Sequence, residues 1–344
     1  MEWFLLVVAL LVILVGAESF TNGVEWVGEG FGLSEGAVGS VLAAIGTALP
    51  ETLVPLIAIL SGHAGGKEVG VGAILGAPLM LSTLAMFAMG VTVVVVAAKG
   101  KRSRELEHDA GVLQQDLGYF MVMYTLAFAV GLVPSRPLHY ALAVVLLIGY
   151  GFYVRRHFKA PGEKQQEAEA VGEVKRLYLS RLGGRRGADK PVGQPPRWMS
   201  VTQTLLGLGI LLIGAELFVN VITKLSATLG VPHLAFALLI APVATELPEA
   251  LNASVIWARR GKDVLAVGNI TGAMVFQATF PVAIGLTLTP WHLDLIAGVS
   301  AVVALVASMV LFLTAKIRGR LSGPLLLLQG IFYVGFVAFV LTRI

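Results

Sequence analysis

Cysteine is absent from the 344 residues, which excludes disulfides and thiolate metal sites and leaves the redox compartment open. Charge is scarce: Asp, Glu, Lys and Arg make up 13% of positions, about half the share of a soluble domain. Apolar residues take 56% and the mean hydropathy is +0.83, the composition of a polytopic membrane protein. All six histidines (63, 108, 139, 157, 233 and 292) fall in loops or at the ends of apolar stretches, so nothing supports a histidine proton relay at mid-membrane. No Ser–His pair, paired Asp or His-Glu-x-x-His motif lies within an apolar stretch, which argues against an intramembrane hydrolase and against an enzyme. Nothing indicates the repeated selectivity ring of a passive channel. The net charge of +4 reflects loop clusters and is no argument for nucleic acid.

What is present is apolar sequence in ten stretches: about 2–17, 34–61, 69–98, 118–133, 138–154, 200–224, 232–257, 264–288, 292–315 and 322–342. A span needs about 20 such residues, so the expectation is an all-α integral membrane protein of ten transmembrane helices. The first stretch has no basic residues before it and aligns with an internal one, so it reads as a mature helix rather than a signal peptide. Basic residues cluster at 99–104, 155–197, 259–262 and 316–320, which together hold 21 of the 25 Lys and Arg. With ten spans all four clusters fall on one face, cytoplasmic by the positive-inside rule. Both termini are then external, and the expected location is the plasma (inner) membrane. Residues 155–199 form the only long polar segment, expected as a mobile cytoplasmic linker lying partly on the lipid surface through an amphipathic piece near Val171–Leu182.

The chain also repeats itself at an offset of 198 residues. LVGAESFTNGVEWVGEGFGLSEGAVGSVLAAIGTALPE ends at Glu51, and LIGAELFVNVITKLSATLGVPHLAFALLIAPVATELPE ends at Glu249. Without a gap, Glu18 falls on Glu216, Asn22 on Asn220, Thr47 on Thr245, Pro50 on Pro248 and Glu51 on Glu249. The implied organisation is a first five-span repeat (1–154), the linker (155–199) and a second repeat (200–344). Five is odd, so the second repeat should be inverted relative to the first, with an ion site at the junction.

Chemistry concentrates at the two Leu-Pro-Glu motifs. Pro50 and Pro248 each remove a backbone donor and crowd the carbonyl four residues earlier, so a helix break is expected at each. Freed carbonyls and carboxylates are the ligands of hard cations such as Na+ and Ca2+. Thr47 and Thr245 add oxygens beside the motif, and Glu51 and Glu249 add charge. Glu246 lies three residues before Glu249 on the same helical face, and Asn252 is one turn beyond. A second element follows each motif: GVGAILGAPLML from Gly70, and AVGNITGAMVFQ from Ala266. Its second copy carries Asn269 and Gln277, the latter opposite Leu81, while the first offers Ser82 and Thr83. For Asn252 and Asn269 the alternative is interhelical hydrogen bonding, and for Glu18 and Glu216 packing is the expected role. Gly70, Gly72, Gly76, Gly268 and Gly272 are expected at close helix contacts.

These paired motifs resemble the cation/Ca2+ exchanger superfamily, which includes the sodium/calcium exchangers and carries Gly-Thr-Ser-Leu-Pro-Glu followed by Gly-Asn-x-x-Gly-Ser-Asn in each of two inverted repeats. Here the motifs read GTALPE with GAILGAP, and ATELPE with GNITGAM, and the similarity spans nearly the whole chain outside the linker. The resemblance implies a secondary-active antiporter exchanging Ca2+, or a related divalent, for Na+ by alternating access. The alternative is Ca2+/H+ exchange through the same glutamates. By position it passes Ca2+ binding to Glu51 and Glu249 and ion contacts to Thr47 and Thr245, with no cofactor beyond the transported ions and no partner beyond lipid. This chain departs from the motif at Ala48 and Glu246, which replace the motif serines, and at Leu81 and Gln277, where the family usually has Asn or Asp. An acid absent at Gln277 is matched by one gained at Glu246.

Overall fold

The computed structural model describes residues 1–30, 43–106, 110–157, 177–182, 195–246, 250 and 257–343. Helices dominate because a chain this apolar, surrounded by lipid, must satisfy its backbone groups internally. In chain order they are α1 (Glu2–Gly30), α2 (Ala43–Leu60), α3 (Gly66–Met80), a π-helical turn (Leu81–Ala85) running into α4 (Met86–Ala98), α5 (Ala110–Gly131) and α6 (Arg136–His157). Then come the short α7 (Tyr178–Leu182), α8 (Arg197–Leu229), α9 (His233–Thr245), α10 (Asp263–Gln277), α11 (Phe280–Leu288), α12 (Leu295–Arg318) and α13 (Gly323–Leu341). Two short strands, β1 (Glu105–Leu106) and β2 (Leu321–Ser322), pair antiparallel. Among the described residues, seven helical runs are long and apolar enough to cross a membrane: Glu2–Gly28, Gly66–Ala98, Arg136–Arg156, Arg197–Leu229, Asp263–Leu288, Leu295–Arg318 and Gly323–Leu341. The expected stretches 34–61 and 232–257 lie partly outside the described residues.

The helix break expected at Pro50 does not occur. α2 runs unbroken through both Pro50 and Pro55. Proline costs a helix one donor and a steric contact, but no water competes for the backbone here, and the crowded carbonyl belongs to Gly46. The Thr52 hydroxyl also donates to Ala48 O at 2.9 Å, one turn back. The expected break at Pro248 lies outside the described residues. An interruption appears instead inside the stretch 264–288: α10 stops at Gln277 and α11 starts at Phe280. Pro281 in the first turn of α11 favours a helix start there, and the Thr279 hydroxyl donates back to Val275 O at 2.8 Å. α1 likewise outruns its apolar stretch, carrying Glu18 and Asn22 well inside a helix rather than near its end.

α1 and α8 pack antiparallel along their length, backbone on backbone. A Cβ on Gly16 would lie 2.5 Å from Leu211 N, on Gly23 2.8 Å from Thr204 N, on Gly207 2.5 Å from Phe20 N and on Gly214 2.8 Å from Ile13 N. Positions climbing one helix thus meet positions descending the other. A leucine at Gly16 or Gly214 should force the pair apart at about 1–3 kcal/mol, the usual cost of overpacking. The expected result is a lower unfolding temperature in detergent. Gly209→Ala is the control, since a Cβ there meets nothing within 4 Å.

α3 is held between α2 and α9 by the same device. A Cβ on Gly70 would lie 2.5 Å from Ile59 Cγ1 of α2, and on Gly72 or Gly76 it would meet Leu234 O or Leu238 O of α9. Gly268 and Gly272 make no such approach among the described residues. Around this centre α4 packs on α13, α6 on α11, and α5 on both α10 and α12. Outward-facing Val144, Val145, Ile148, Ile331 and Val334 are exposed, as a lipid-facing surface requires.

Three of the basic clusters meet at one end. β1 joins the loop after α4 to β2, Arg320 pairs with Glu105 at 2.9 Å, and Arg102 grips Asp263 at the start of α10 through bonds of 2.6 and 2.8 Å. The opposite end carries the His63–Glu216 contact at 2.8 Å and the Trp291 Nε1 bond to Ala127 O at 3.2 Å. Of the linker, the described residues are 177–182 and 195–199, the first of which include α7. α7 docks on α1 and α8, with Leu177 buried, Tyr178 donating to Glu18 at 2.7 Å, and Leu179 N donating to Gln203 Oε1 at 2.9 Å. Gln203 in turn donates to Asn22 at 2.8 Å. Polar residues on both helices therefore hold the piece in place. Residues 158–176 and 183–194 are outside the described set.

Candidate cation-binding site

The C-terminal ends of α9 and α10 converge inside the protein. Glu246 follows the last residue of α9 and Gln277 is the last of α10; both are buried, and Gln277 Nε2 donates to Glu246 Oε1. Gln277 Oε1 has no hydrogen-bond partner among the described residues. A helix ends in carbonyls and carries about half a negative charge there, so two converging C-termini favour a cation. Pro242 within α9 gives no donor to Leu238 O, the carbonyl against which Gly76 of α3 rests. The Glu246 backbone is bonded at both its polar groups, its N–H donating to Pro242 O at 2.8 Å and its carbonyl accepting from Ala250 N at 2.9 Å.

Glu51 is buried midway along α2, at 5% exposure, and α2 touches both α3 and α9. Thr47 lies one turn before it on the same helix, and its side chain is outside the described set. Thr245 is buried beside Glu246, its hydroxyl donating to Ala241 O at 3.4 Å. Asn269 is half-buried on α10, eight residues before Gln277 and so about 12 Å away along the axis, too far for both side chains to reach one ion. Glu249 and Asn252 lie outside the described residues, among which no three His, Asp or Glu side chains form a metal-holding group. Glu246 and Gln277 are therefore brought together, and Asn269 is set apart from them.

The two repeats deviate from α-helix at equivalent points. Leu81, the counterpart of Gln277, opens the π-helical turn, a form that often marks functional positions. The nearby hydroxyls of Ser82 and Thr83 donate to Leu79 O.

One buried acid escaped the sequence reading. Asp116 on α5 is 1% exposed and accepts from Tyr153 of α6 at 3.0 Å and from Thr271 of α10 at 2.6 Å. It was passed over because Gln114, Gln115 and Asp116 lower hydropathy at the edge of the stretch 118–133, whereas the helix begins at Ala110. Leu113, Gln114 and Gln115, good helix formers just ahead of that stretch, were the available signal.

A family model described as sodium/calcium exchanger protein matches residues 1–158 and 199–342. The chain is 26% identical to the putative antiporter CaxA of Alkalimonas amylolytica, over 95% of both chains. It is 24% identical to the inner membrane protein YrbG of Escherichia coli (strain K12), over 94% of this chain and 92% of that one. In fold it resembles the crystal structure of the H+/Ca2+ exchanger CAX, with TM-score 0.70 and 17% identity over 98% of this chain and 82% of that one. It also resembles the sodium-calcium exchanger NCX_Mj soaked with Na+ and Sr2+, with TM-score 0.55 and 21% identity over 98% of both chains.

Proposed function

The chain belongs to the sodium/calcium exchanger protein family, and on that premise we propose that it is a secondary-active antiporter carrying Ca2+, or a related divalent cation, against Na+ by alternating access. The observation that carries this reading is the buried Glu246–Gln277 contact at two converging helix C-termini. Glu51 and Glu249 hold the divalent ion, Glu246 and Gln277 complete the site, and Thr47 and Thr245 supply hydroxyl oxygens. Asn252 and Asn269 act nearby, Asn269 outside the ligand shell that Gln277 joins. Charges at the bilayer centre cost about 2.5–3.5 kcal/mol each on insertion scales. The emptied site must therefore take up protons or counter-ions, which makes exchange obligatory.

A second reading, exchange of Ca2+ for H+ through the same glutamates, is favoured by the π-helical turn. Leu81 offers no oxygen where Gln277 does, so at this position the first repeat has only the Ser82 and Thr83 hydroxyls, whose hydrogens point to Leu79 O. The first repeat is thus poor in oxygens to surround Na+. Calcium uptake into vesicles under a Na+ gradient, compared with a pH gradient, separates the readings. The first expects uptake driven by Na+ and the second by the pH gradient; uptake under neither would sink both.

The architecture proposed with it is ten passes in two inverted five-span repeats, with the linker between them. The antiparallel packing of α1 on α8 supports it, because equivalent helices of an inverted pair must run in opposite directions. Gly16 meets Leu211, and their equivalents Gly214 and Ile13 also meet. The contacts of α4 with α13 and of α6 with α11 are equivalents in the same sense. The basic end is cytoplasmic and both termini are external. In this Cys-free chain, a single cysteine at position 180 should resist an impermeant thiol reagent in intact cells, and one at Lys67 should react. The reverse pattern would overturn the orientation.

A further inference from the structure

Asp116 has no task in the site described above. It is held deep in an apolar helix bundle between hydroxyls of two other helices, and an ionisable side chain in that position is a functional group by default. Its depth follows from the helices. Asp116 is six residues, about 9 Å, inside the start of α5, at the basic end of the molecule. Tyr153 is four residues from the end of α6 at that same end. Thr271 is about 12 Å along α10 from Asp263, which Arg102 grips, and about 9 Å short of Gln277. Asp116 therefore stands between the basic end and the Glu246–Gln277 contact.

We propose that Asp116 is a proton-binding carboxyl of the transport cycle, exchanging its proton with water at the basic end. The inference deepens the H+ reading and rests on it. A proton from water adds to one carboxylate oxygen and gives a neutral carboxyl; the reverse step returns it, and no other covalent bond changes. The partners fit both states. With the carboxylate, Tyr153 and Thr271 both donate to it. With the carboxyl, Asp116 donates to Thr271 Oγ1, and the threonine hydrogen turns to Gly268 O, 3.4 Å away. Protonation thereby changes the bonding of α10, the helix that ends at Gln277. The oxygen contacts of 3.0 and 2.6 Å are direct hydrogen bonds, which leave no gap for a metal ion between them.

Among the described residues, tyrosines stand beside Asp116: Tyr153 itself, Tyr150 stacked on it and Tyr119 edge-on to it. Of the helices packed on α5, the described buried face of α10 carries one charged side chain, Asp263, and that of α12 carries none. The remaining charged or titratable groups, Lys316 and Arg318 on α12 and Arg136, His139, Arg155, Arg156 and His157 on α6, sit in the first or last turns of those helices.

The test uses the full reconstituted protein in two arms. In pH-difference infrared spectra, the wild type should show, beside the bands of the site glutamates, a protonated-carboxyl band that Asp116→Asn removes. In vesicles, Asp116→Asn should lower pH-driven Ca2+ uptake to background relative to Ca2+–Ca2+ exchange, which needs no proton. Persistence of the band in Asp116→Asn overturns the proposal. So does an equal fall of both transport modes, which would make Asp116 a positioning residue, or an unchanged ratio between them. If Asp116→Asn fails to fold, Thr271→Val decides: loss of one hydrogen bond should change the proton affinity read from the band about 2–10-fold, and an unmoved midpoint overturns the proposal. Should the wild type carry no Ca2+ in either mode, the transport reading falls, and the infrared arm still decides whether Asp116 binds the proton.

Discussion

Glu51→Gln is expected to abolish divalent transport with little change in expression or unfolding temperature, and Glu249→Gln to do the same. The amide keeps the volume and hydrogen-bonding reach of the carboxylate and removes only its charge. Charge is what a hard cation reads. Glu51 is buried at mid-helix, where its interaction with an ion is little screened by water. Removing one partner of a buried charge pair costs about 3–5 kcal/mol, which converts to roughly 100- to 4,000-fold in affinity. Radiolabelled Ca2+ uptake by reconstituted vesicles measures the loss, and calorimetric titration locates it in binding. Full transport by either variant would remove that glutamate from the site.

The second large effect is expected at the Glu246–Gln277 contact. Glu246→Ser should weaken divalent binding by about 1–3 kcal/mol, the penalty for losing a charged hydrogen-bonding partner. Adding Gln277→Asp should recover part of it, because a carboxylate returns to the other side of the same contact. In the single Gln277→Asp variant two carboxylates adjoin, so its folding should depend more strongly on a bound cation or proton. The double-mutant cycle should then give a coupling energy clearly different from zero. Strictly additive changes in Ca2+ affinity would place Glu246 outside the site and leave it as packing between α9 and α10.

Much of this site was legible in the sequence because two mutually dependent features were written there twice. A carboxylate beside proline within an apolar run is rare enough to be noticed once, and its recurrence at Glu51 and Glu249 is what points to a site there. Adjacency of Glu246 and Gln277 could be read from their paired departures from the family motif. The features that were not legible have a common cause: hydropathy reports the solvent around a segment and not the path of its backbone. The run 264–288 is apolar on average, and the polar residues within it do not mark a helix end, so the stop at Gln277 left little trace beyond Pro281. Pro50 gave the opposite error, since a residue that breaks helices in water is carried through one in lipid. Asp116 falls just outside an apolar stretch, and its two hydroxyl partners come from α6 and α10, distant in sequence, so only the folded chain shows it held between them.

The lengths of α1 and α8 carry a further consequence. A 33-residue helix such as α8 is about 50 Å long, against a hydrocarbon layer of about 30 Å. Exposed apolar side chains run along nearly all of it, from Trp198 and Leu205 through Ile213 to Leu229. Standing upright, the helix would push several of these into the headgroups; leaning, it keeps them among the acyl chains. Its glycine contacts with α1 oblige the two helices to lean together. Bilayer thickness thus becomes a mechanical variable for this protein: thicker membranes draw the pair upright, thinner ones lay it over, and the angle between the pair and the rest of the bundle follows the lipid.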